Sequence, residues 1–315
     1  MTQLPQVSVV IVSYQVRDLL RACLRSVEAQ VEVEVDTWVV DNASTDGSAD
    51  MVAREFPGAR LIRNADNQGF ARANNQALAQ ATGDVLLLLN PDTELPPRAL
   101  AELVRAFERH SNAGAVGLAL RNADGTQQRS CHAFPSLLNM ALEALGLHRM
   151  ALRLGIGTPF QAPVPRGGEG PADWVSGACL ALSREAYAEV GGLDEESFMY
   201  GEEMDWSWRA RRSGFVTVFS TVASVLHHGE ASGEGRRGEL YVLNAQARTR
   251  FLRRHHGASH AALARELLTL GSLLRLAYWL PRAALEARGS GVRPRTRDQI
   301  ERFRAVVTWR MGGAS

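Results

Sequence analysis

The chain has 315 residues, 45% hydrophobic and 22% charged, enough to bury the core of one large domain or two small ones. Its 35 basic residues are all arginine and offset 34 acidic ones, so no overall positive charge draws it to nucleic acid. The absence of lysine excludes a Walker-type phosphate loop, a Schiff-base lysine and a Ser–Lys nucleophile pair.

In chain order, residues 7–12 form a β-branched, nearly continuous apolar run, as expected of a strand buried on both faces of a parallel sheet. Leu20, Cys23, Leu24 and Val27 then recur at helical spacing, with Cys23 on the packed face. Residues 37–40 and 61–62 predict two further strands, 70–80 a helix, and 84–89 a strand that runs into Asn90-Pro91-Asp92. Leu100, Leu103, Val104 and Phe107 mark another helix. Repeated βα units of this length imply a mostly parallel central sheet flanked by helices. Residues 155–173, rich in Gly and Pro, predict a long loop; 174–182 predict a strand, 183–190 a helix, 202–205 an acidic helix start and 216–218 a strand. From Gly238 onward the patterns are helical. A boundary near 235 is therefore expected, with an α/β domain over 1–235 and a helical C-terminal extension over 236–315. The three cysteines lie far apart without a CxxC pair, which argues against a disulfide framework or zinc knuckle and fits a reducing compartment. No basic leader or 18-residue apolar run is evident, so the expected location is the cytoplasm, with peripheral contact at the inner face of the cell membrane.

Ligands of open α/β sheets bind at the carboxyl ends of the strands, where this chain repeatedly places polar clusters: Ser13-Tyr14, Asp41-Asn42, Asn64 through Asn67, and Asn90-Pro91-Asp92. Any one of these has a turn or capping explanation; four at successive strand ends point to one shared polar site. Taken in order, Val-Ser-Val-Val-Ile-Val-Ser-Tyr, Val-Val-Asp-Asn-Ala-Ser-Thr-Asp-Gly-Ser, Asn-Ala-Asp-Asn-Gln-Gly-Phe-Ala-Arg-Ala-Asn-Asn and Leu-Leu-Leu-Leu-Asn-Pro-Asp-Thr resemble glycosyltransferase family 2. The resemblance is nearest its bacterial rhamnosyltransferase-like branch. The same pattern continues through Asp173-Trp-Val-Ser-Gly-Ala-Cys-Leu, Gly192-Leu-Asp-Glu-Glu-Ser-Phe-Met-Tyr-Gly-Glu-Glu-Met-Asp-Trp and His227-His228-Gly-Glu-Ala-Ser.

The resemblance implies the GT-A fold and an inverting transfer of a sugar from a nucleoside-diphosphate donor, dTDP or UDP, to a hydroxyl acceptor. Rhamnose is the implied sugar, and a saccharide, lipid-linked in bacterial surface polysaccharide synthesis, the implied acceptor. By that resemblance Ser13, Tyr14 and Asp41 would hold the nucleobase or ribose. Asn67 and Gly69 would bring a helix N-terminus to the diphosphate, with Arg72 and Asn74 one turn on. Asn90 and Asp92 occupy the Asp-x-Asp position, with Asn in place of the first carboxylate. Asp92 and His227, with His228 as competitor, would hold Mg²⁺ or Mn²⁺. Glu203 occupies the position of the family's catalytic Asp and would be the general base. Trp174, Ser176, Gly177 and Ala178 would line the acceptor side with Glu202 and Asp205; Asp205 also stands four residues before Arg209, at ion-pair spacing.

Competing classes fit less well. A nucleotidyltransferase needs a Gly-rich loop with Arg or Lys after the first strand, and a dinucleotide oxidoreductase needs GxGxxG there. A non-catalytic sugar-nucleotide-binding protein stays open because Glu replaces Asp at 203. In the extension, Leu263, Leu267, Leu270, Leu274 and Ala277 form an apolar stripe with Arg265, Arg275, Arg282 and Arg288 nearby. Such a helix suits an anionic membrane surface, packing on the catalytic domain, or a homodimer contact.

Overall fold

The structure is a computed structural model that describes residues 4–158, 161–196, 198–229, 237–288 and 291–311. Its first elements are β1 (Gln6–Ser13), α1 (Arg17–Glu28), β2 (Glu34–Asp41), α2 (Ser48–Glu55), β3 (Arg60–Arg63), α3 (Phe70–Leu78), β4 (Val85–Leu89), β5 (Thr93–Glu94), α4 (Ala99–Arg109), β6 (Ala113–Arg121) and β7 (Cys131–His132). There follow α5 (Leu137–Ala144), α6 (His148–Arg153), β8 (Glu169–Ala172), β9 (Trp174–Val175), β10 (Cys179–Ser183), α7 (Arg184–Val190), α8 (Glu202–Arg212), β11 (Val216–His227), α9 (Arg237–His256), α10 (Ala258–Ala287) and α11 (Pro294–Met311).

The chain divides into two compact units: Met1–Ala133 with Val164–Ala231, and Phe134–Pro163 with Ser232–Ser315. Phe134–Pro163 lies inside the 1–235 span yet groups with the C-terminal helices. The expected boundary at 235, and the Glu230-Ala-Ser end of the His227 motif, fall outside the described residues.

The first unit is a nine-stranded sheet whose main path runs β3-β2-β1-β4-β10-β6-β11-β5, with β8 on β11. β1 to β4 are mutually parallel, β6 and β11 are parallel to each other, and β10 lies antiparallel between β4 and β6. This is the mostly parallel α/β sheet expected from the sequence. Its buried strands explain the unbroken apolar runs: Val7, Val9, Val10 and Ile11 of β1 and Leu86 to Leu88 of β4 are fully inaccessible. The face of α1 that meets them consists of Leu20, Cys23, Leu24 and Val27. All three cysteines are free and buried, and burial pushes the Cys23 thiol up to about 12, so it packs rather than reacts.

Three features depart from the sequence reading. β6 is a full central strand whose Ala-Gly-Ala-Val-Gly composition carries little strand signal. Its glycines make room: a Cβ on Gly117 would sit 2.5 Å from Val175 Cγ2, and one on Gly114 2.7 Å from Phe215 Cβ. The stretch 155–173, read as loop, contains β8, and the 174–182 strand breaks into β9 and β10 around Ser176, Gly177 and Ala178. The strand read at 216–218 extends to His227.

In the second unit, α9, α10 and α11 pack together and α5 lies against α10. A buried ion pair, Arg248 Nη1 to Glu143 Oε2 at 3.3 Å, ties α9 to α5. No helix among the described residues is long and apolar enough to cross a membrane.

Candidate active site

The register of the sheet fixes which polar residues meet. β1 and β2 pair in parallel so that Ser13 lies opposite Asp41, and β1 also pairs with β4 up to Ile11–Leu89. Ser13, Asp41 and Asn90 therefore leave the sheet at one edge. Asp41 Oδ2 accepts from the Ser44 backbone N–H at 3.1 Å. Its Oδ1 and the Ser13 hydroxyl are buried without a hydrogen-bond partner among the described residues. Burying polar atoms unpaired is costly, so an acceptor and a hydroxyl side by side at a strand end point to a ligand that satisfies them. The two loops carry backbone strain: Gln15 and Ala43 hold φ of 58° and 67°. Tyr14 stands exposed beyond the strand.

Asn42, fully buried, ties the next cluster together. Its Nδ2 donates to Asn67 Oδ1 at 2.7 Å, while its Oδ1 accepts from Asn64 Nδ2 and the Gln68 N–H, both at 3.0 Å. Asn67 Oδ1 also receives the Gly69 N–H at 3.0 Å, so Asn67 brackets the turn into α3. Gly69 has φ 79°, and a Cβ there would lie 2.7 Å from the Phe198 carbonyl oxygen, which accepts from Phe70 N–H at 3.0 Å. The close approach that requires glycine is thus made by the Phe198 backbone. Asn74 turns its Nδ2 back to the Phe70 carbonyl at 2.9 Å, and Arg72 is exposed on the outer face of α3.

Asp92 is nearly buried. Its Oδ1 faces His227 Nε2 at 3.4 Å, and its Oδ2 accepts from Gly229 N–H at 3.1 Å. Burial opposes the charge, but His227 and the Gly229 N–H outweigh it and hold the Asp92 carboxyl below its ordinary value. The juxtaposition follows from β11 running antiparallel to β5, which sets His227 opposite Thr93. His227 Nδ1 lies 2.7 Å from Gln128 Oε1, and Gln128 Nε2 donates to the His227 carbonyl and to Asn122 Oδ1, both at 2.7 Å. Two acceptors on its nitrogen side fix the Gln128 amide, so its oxygen faces Nδ1 and the imidazole proton sits there. Nε2 then faces Asp92 Oδ1, with Asn90 Nδ2 3.5 Å away. His228 turns instead to Glu94 Oε1, at 2.9 Å. Among the described residues, no group of three His, Cys, Asp or Glu side chains is gathered as a metal site.

Glu203 lies in the first turn of α8, after Tyr200 and Gly201, both left-handed with φ of 71° and 97°. Its Oε2 is buried without a hydrogen-bond partner among the described residues. Burial raises its pKa, against the opposing pull of the Glu203, Gly201 and Gly177 backbone N–H groups. A Cβ on Gly177 would be 3.8 Å from the Glu203 carboxyl carbon and 3.9 Å from Phe70. The next residue, Ala178, accepts the Asn90 N–H at 3.0 Å, so Glu203 and the Asn90–Asp92 turn face one short segment. Asp205 pairs with Arg209 at 2.8 Å, and Arg209 holds the Val190 and Gly192 carbonyls, each at 2.7 Å. Asp205 is thereby engaged in positioning α8, beside buried Glu202. Trp174 stacks on His132, ring centroids 4.1 Å apart, and donates its Nε1–H to the Ala133 carbonyl at 3.0 Å. Asn42 and Gln128 escaped the sequence reading as site residues. Asn42 was visible in the Asp-Asn cluster, whereas Gln128 sits in an irregular segment that returns beside β6, its N–H on the Leu120 carbonyl, and is identified only by the fold.

The glycosyl transferase family 2 profile matches residues 8–167. The chain is 32% identical over 239 residues to the N-acetylglucosaminyl-diphospho-decaprenol L-rhamnosyltransferase of Mycobacterium tuberculosis, which covers 72% of this chain and 77% of that protein. Its fold is similar to that of the mannosyltransferase PcManGT from Pyrobaculum calidifontis, solved with GDP-Man and Mn²⁺. The TM-score is 0.61 at 18% identity, covering 98% of this chain and 88% of that one. GalNAc-T7, solved with UDP, GalNAc and Mn²⁺, aligns at TM-score 0.58 and 16% identity over 79% of this chain and 48% of its own. Taken with the expected GT-A sheet and the order of its motifs, these matches show that the chain belongs to glycosyltransferase family 2.

Proposed function

We propose that the protein is an inverting glycosyltransferase. It moves rhamnose from a dTDP donor to a hydroxyl of a lipid-linked saccharide in bacterial surface polysaccharide synthesis, at the inner face of the cell membrane. The observation that carries this is the shared strand-end edge: Ser13 and Asp41 atoms without a partner among the described residues, the Asp92–His227 pair, and half-buried Glu203, one oxygen of it sealed from solvent, facing the same Gly177–Ala178 segment. The choice of sugar and lipid rests on the mycobacterial relative's name.

In this reading Asp41 Oδ1 accepts the imide N–H of the base while the Ser13 hydroxyl completes the contact. Asp92 Oδ1 and His227 Nε2 are a carboxylate oxygen and an imidazole nitrogen, a donor set that suits Mn²⁺ or Mg²⁺. The structural relatives solved with Mn²⁺ support that assignment. Such an ion, when bound, supplies Lewis-acid charge to the leaving diphosphate. Gln128 Oε1 accepts the proton on Nδ1, which leaves Nε2 as the ring nitrogen that would exchange its own proton for a metal ion. Glu203 takes the proton from the acceptor hydroxyl as oxygen attacks the anomeric carbon and the donor's glycosidic C–O bond breaks. One displacement inverts the configuration. Its raised pKa makes Glu203 a stronger base than an ordinary carboxylate, as general-base work at an acceptor hydroxyl requires. Trp174 offers an aromatic face beside small residues for an acceptor sugar.

Thermal-shift titration with dTDP-, UDP- and GDP-sugars, with and without Mn²⁺, tests the donor assignment. The expected result is stabilisation by dTDP-rhamnose that grows with Mn²⁺. No shift with any donor would overturn it.

A further inference from the structure

The near-zero total charge conceals a division between the two units. Met1–Ala133 with Val164–Ala231 carries 17 arginines against 27 acidic residues, a net charge of −10; Phe134–Pro163 with Ser232–Ser315 carries 18 against 7, a net charge of +11. Internal pairing accounts for little of that surplus. Glu143 pairs with Arg248, Glu266 with Arg310 and Glu286 with Arg282, leaving far more arginines than acids. Arg149, Arg153, Arg253, Arg288, Arg295 and Arg297 are exposed.

Helix α10 adds a second, independent feature: most of its apolar stripe faces outward, while Leu267 turns toward Met140 and Tyr241. It buries mostly small residues, Ala261, Ala264, Gly271 and Ser272 with Leu276, while Leu263, Leu270, Leu274, Tyr278 and Leu285 are between 45% and 67% exposed. These exposed positions fall at steps of seven and four residues, one face of a helix. Gly271 lies against Ala144, where α10 meets α5. In the same unit α5, α6 and the residue that caps α6 likewise expose Leu138, Met150 and Leu154. Between α10 and α11 an open groove of about 630 Å³ combines Leu280, Val292 and Ile300 with Arg297 and Arg304.

We propose that the second unit is a docking module for an anionic bilayer, with arginines against lipid phosphates and the exposed α10 leucines seated among acyl chains. Large outward apolar side chains within a strongly positive unit match that surface on both counts. A nucleic acid would satisfy the arginines but has no apolar layer for the leucines. A second copy joined through the same unit would bring +11 against +11. The proposal rests on the glycosyltransferase reading only in that a lipid-linked acceptor gives the docking a purpose.

The test is co-sedimentation of the full chain with vesicles of phosphatidylcholine alone or mixed with phosphatidylglycerol. Binding to the mixed vesicles only, reversed by salt, is expected. The double variant Leu270→Ser/Leu274→Ser, altered at exposed positions that leave the fold intact, should lower partitioning about tenfold. Three results would each overturn the proposal: no binding to anionic vesicles; equal binding to neutral ones; or wild-type vesicle binding by the leucine variant with heparin as competitor, which assigns the surface to polyanions. A concentration-dependent dimer in sedimentation velocity that the leucine substitutions abolish would overturn it in favour of a second copy. Hydrolysis of dTDP-rhamnose by the same samples separates the two readings: hydrolysis without vesicle binding defeats only the docking, and vesicle binding without hydrolysis defeats only the donor assignment.

Discussion

Glu203 is held where ionisation is opposed, with one oxygen sealed from solvent and without a partner among the described residues. Its pKa is higher in the fold than in the unfolded chain, so the stability it contributes is fully present below the unfolded value and is lost as pH rises through the folded one. Glu203→Gln should therefore raise the melting temperature at neutral pH, while transfer falls by roughly 10²–10⁴-fold with donor affinity unchanged. A scanning-calorimetry and rate comparison reads both effects; near-wild-type transfer would move the base to Glu202 or Asp205. Because the base must be ionised, the acid limb of kcat/KM should lie above the ordinary carboxylate range and vanish in the variant. Asp92→Ala should abolish Mn²⁺-dependent nucleoside-diphosphate binding in calorimetric titration with the fold intact; unchanged affinity would remove Asp92 from the site. Gln128→Leu should weaken Mn²⁺ affinity by roughly 10–100-fold in an EPR titration, as loss of an outer-shell partner does. It should also shift the His227 Nδ1 resonance in nitrogen-detected NMR of the metal-free protein, because the proton there loses its acceptor. An unaltered Nδ1 resonance and affinity would remove Gln128 from the site.

At the scale of elements, the glycines decide how closely strands and turns can approach. Gly117→Ala drives a methyl into Val175 from a central strand and should cost about 1–3 kcal/mol in urea denaturation, with the β9 side of the site loosened. An unchanged midpoint would mean the β6–β9 packing is slack. The same positions show where the sequence was legible. β1, α1, β2 and β4 announce themselves because their burial on one or both faces writes a period into the chain, and their polar ends follow. β6 does not, because its small residues were set by Phe215 and Val175, neighbours far away in sequence. Gln128 and Asn42 are similar cases: what they do depends on His227, 99 residues away, and on Asn67. The stripe on α10 was legible as a stripe, but periodicity alone does not tell which way it faces.

For the whole molecule, an acidic unit that holds the strand-end site and a basic helical unit share one chain. A protein with that division should lose membrane partitioning at high salt while its chemistry on soluble donor persists, since buried pairs are screened far less than exposed charge. The central claim is that Glu203 drives an inverting transfer from a nucleoside-diphosphate sugar bound at the strand ends. The most direct measurement gives the purified protein dTDP-rhamnose, Mn²⁺ and an N-acetylglucosaminyl-diphospho-lipid, and determines the anomeric configuration of the product by NMR for wild type and Glu203→Gln. The account predicts a rhamnosylated lipid of inverted configuration from wild type and essentially none from the variant. Product of retained configuration, or equal product from both proteins, would contradict it.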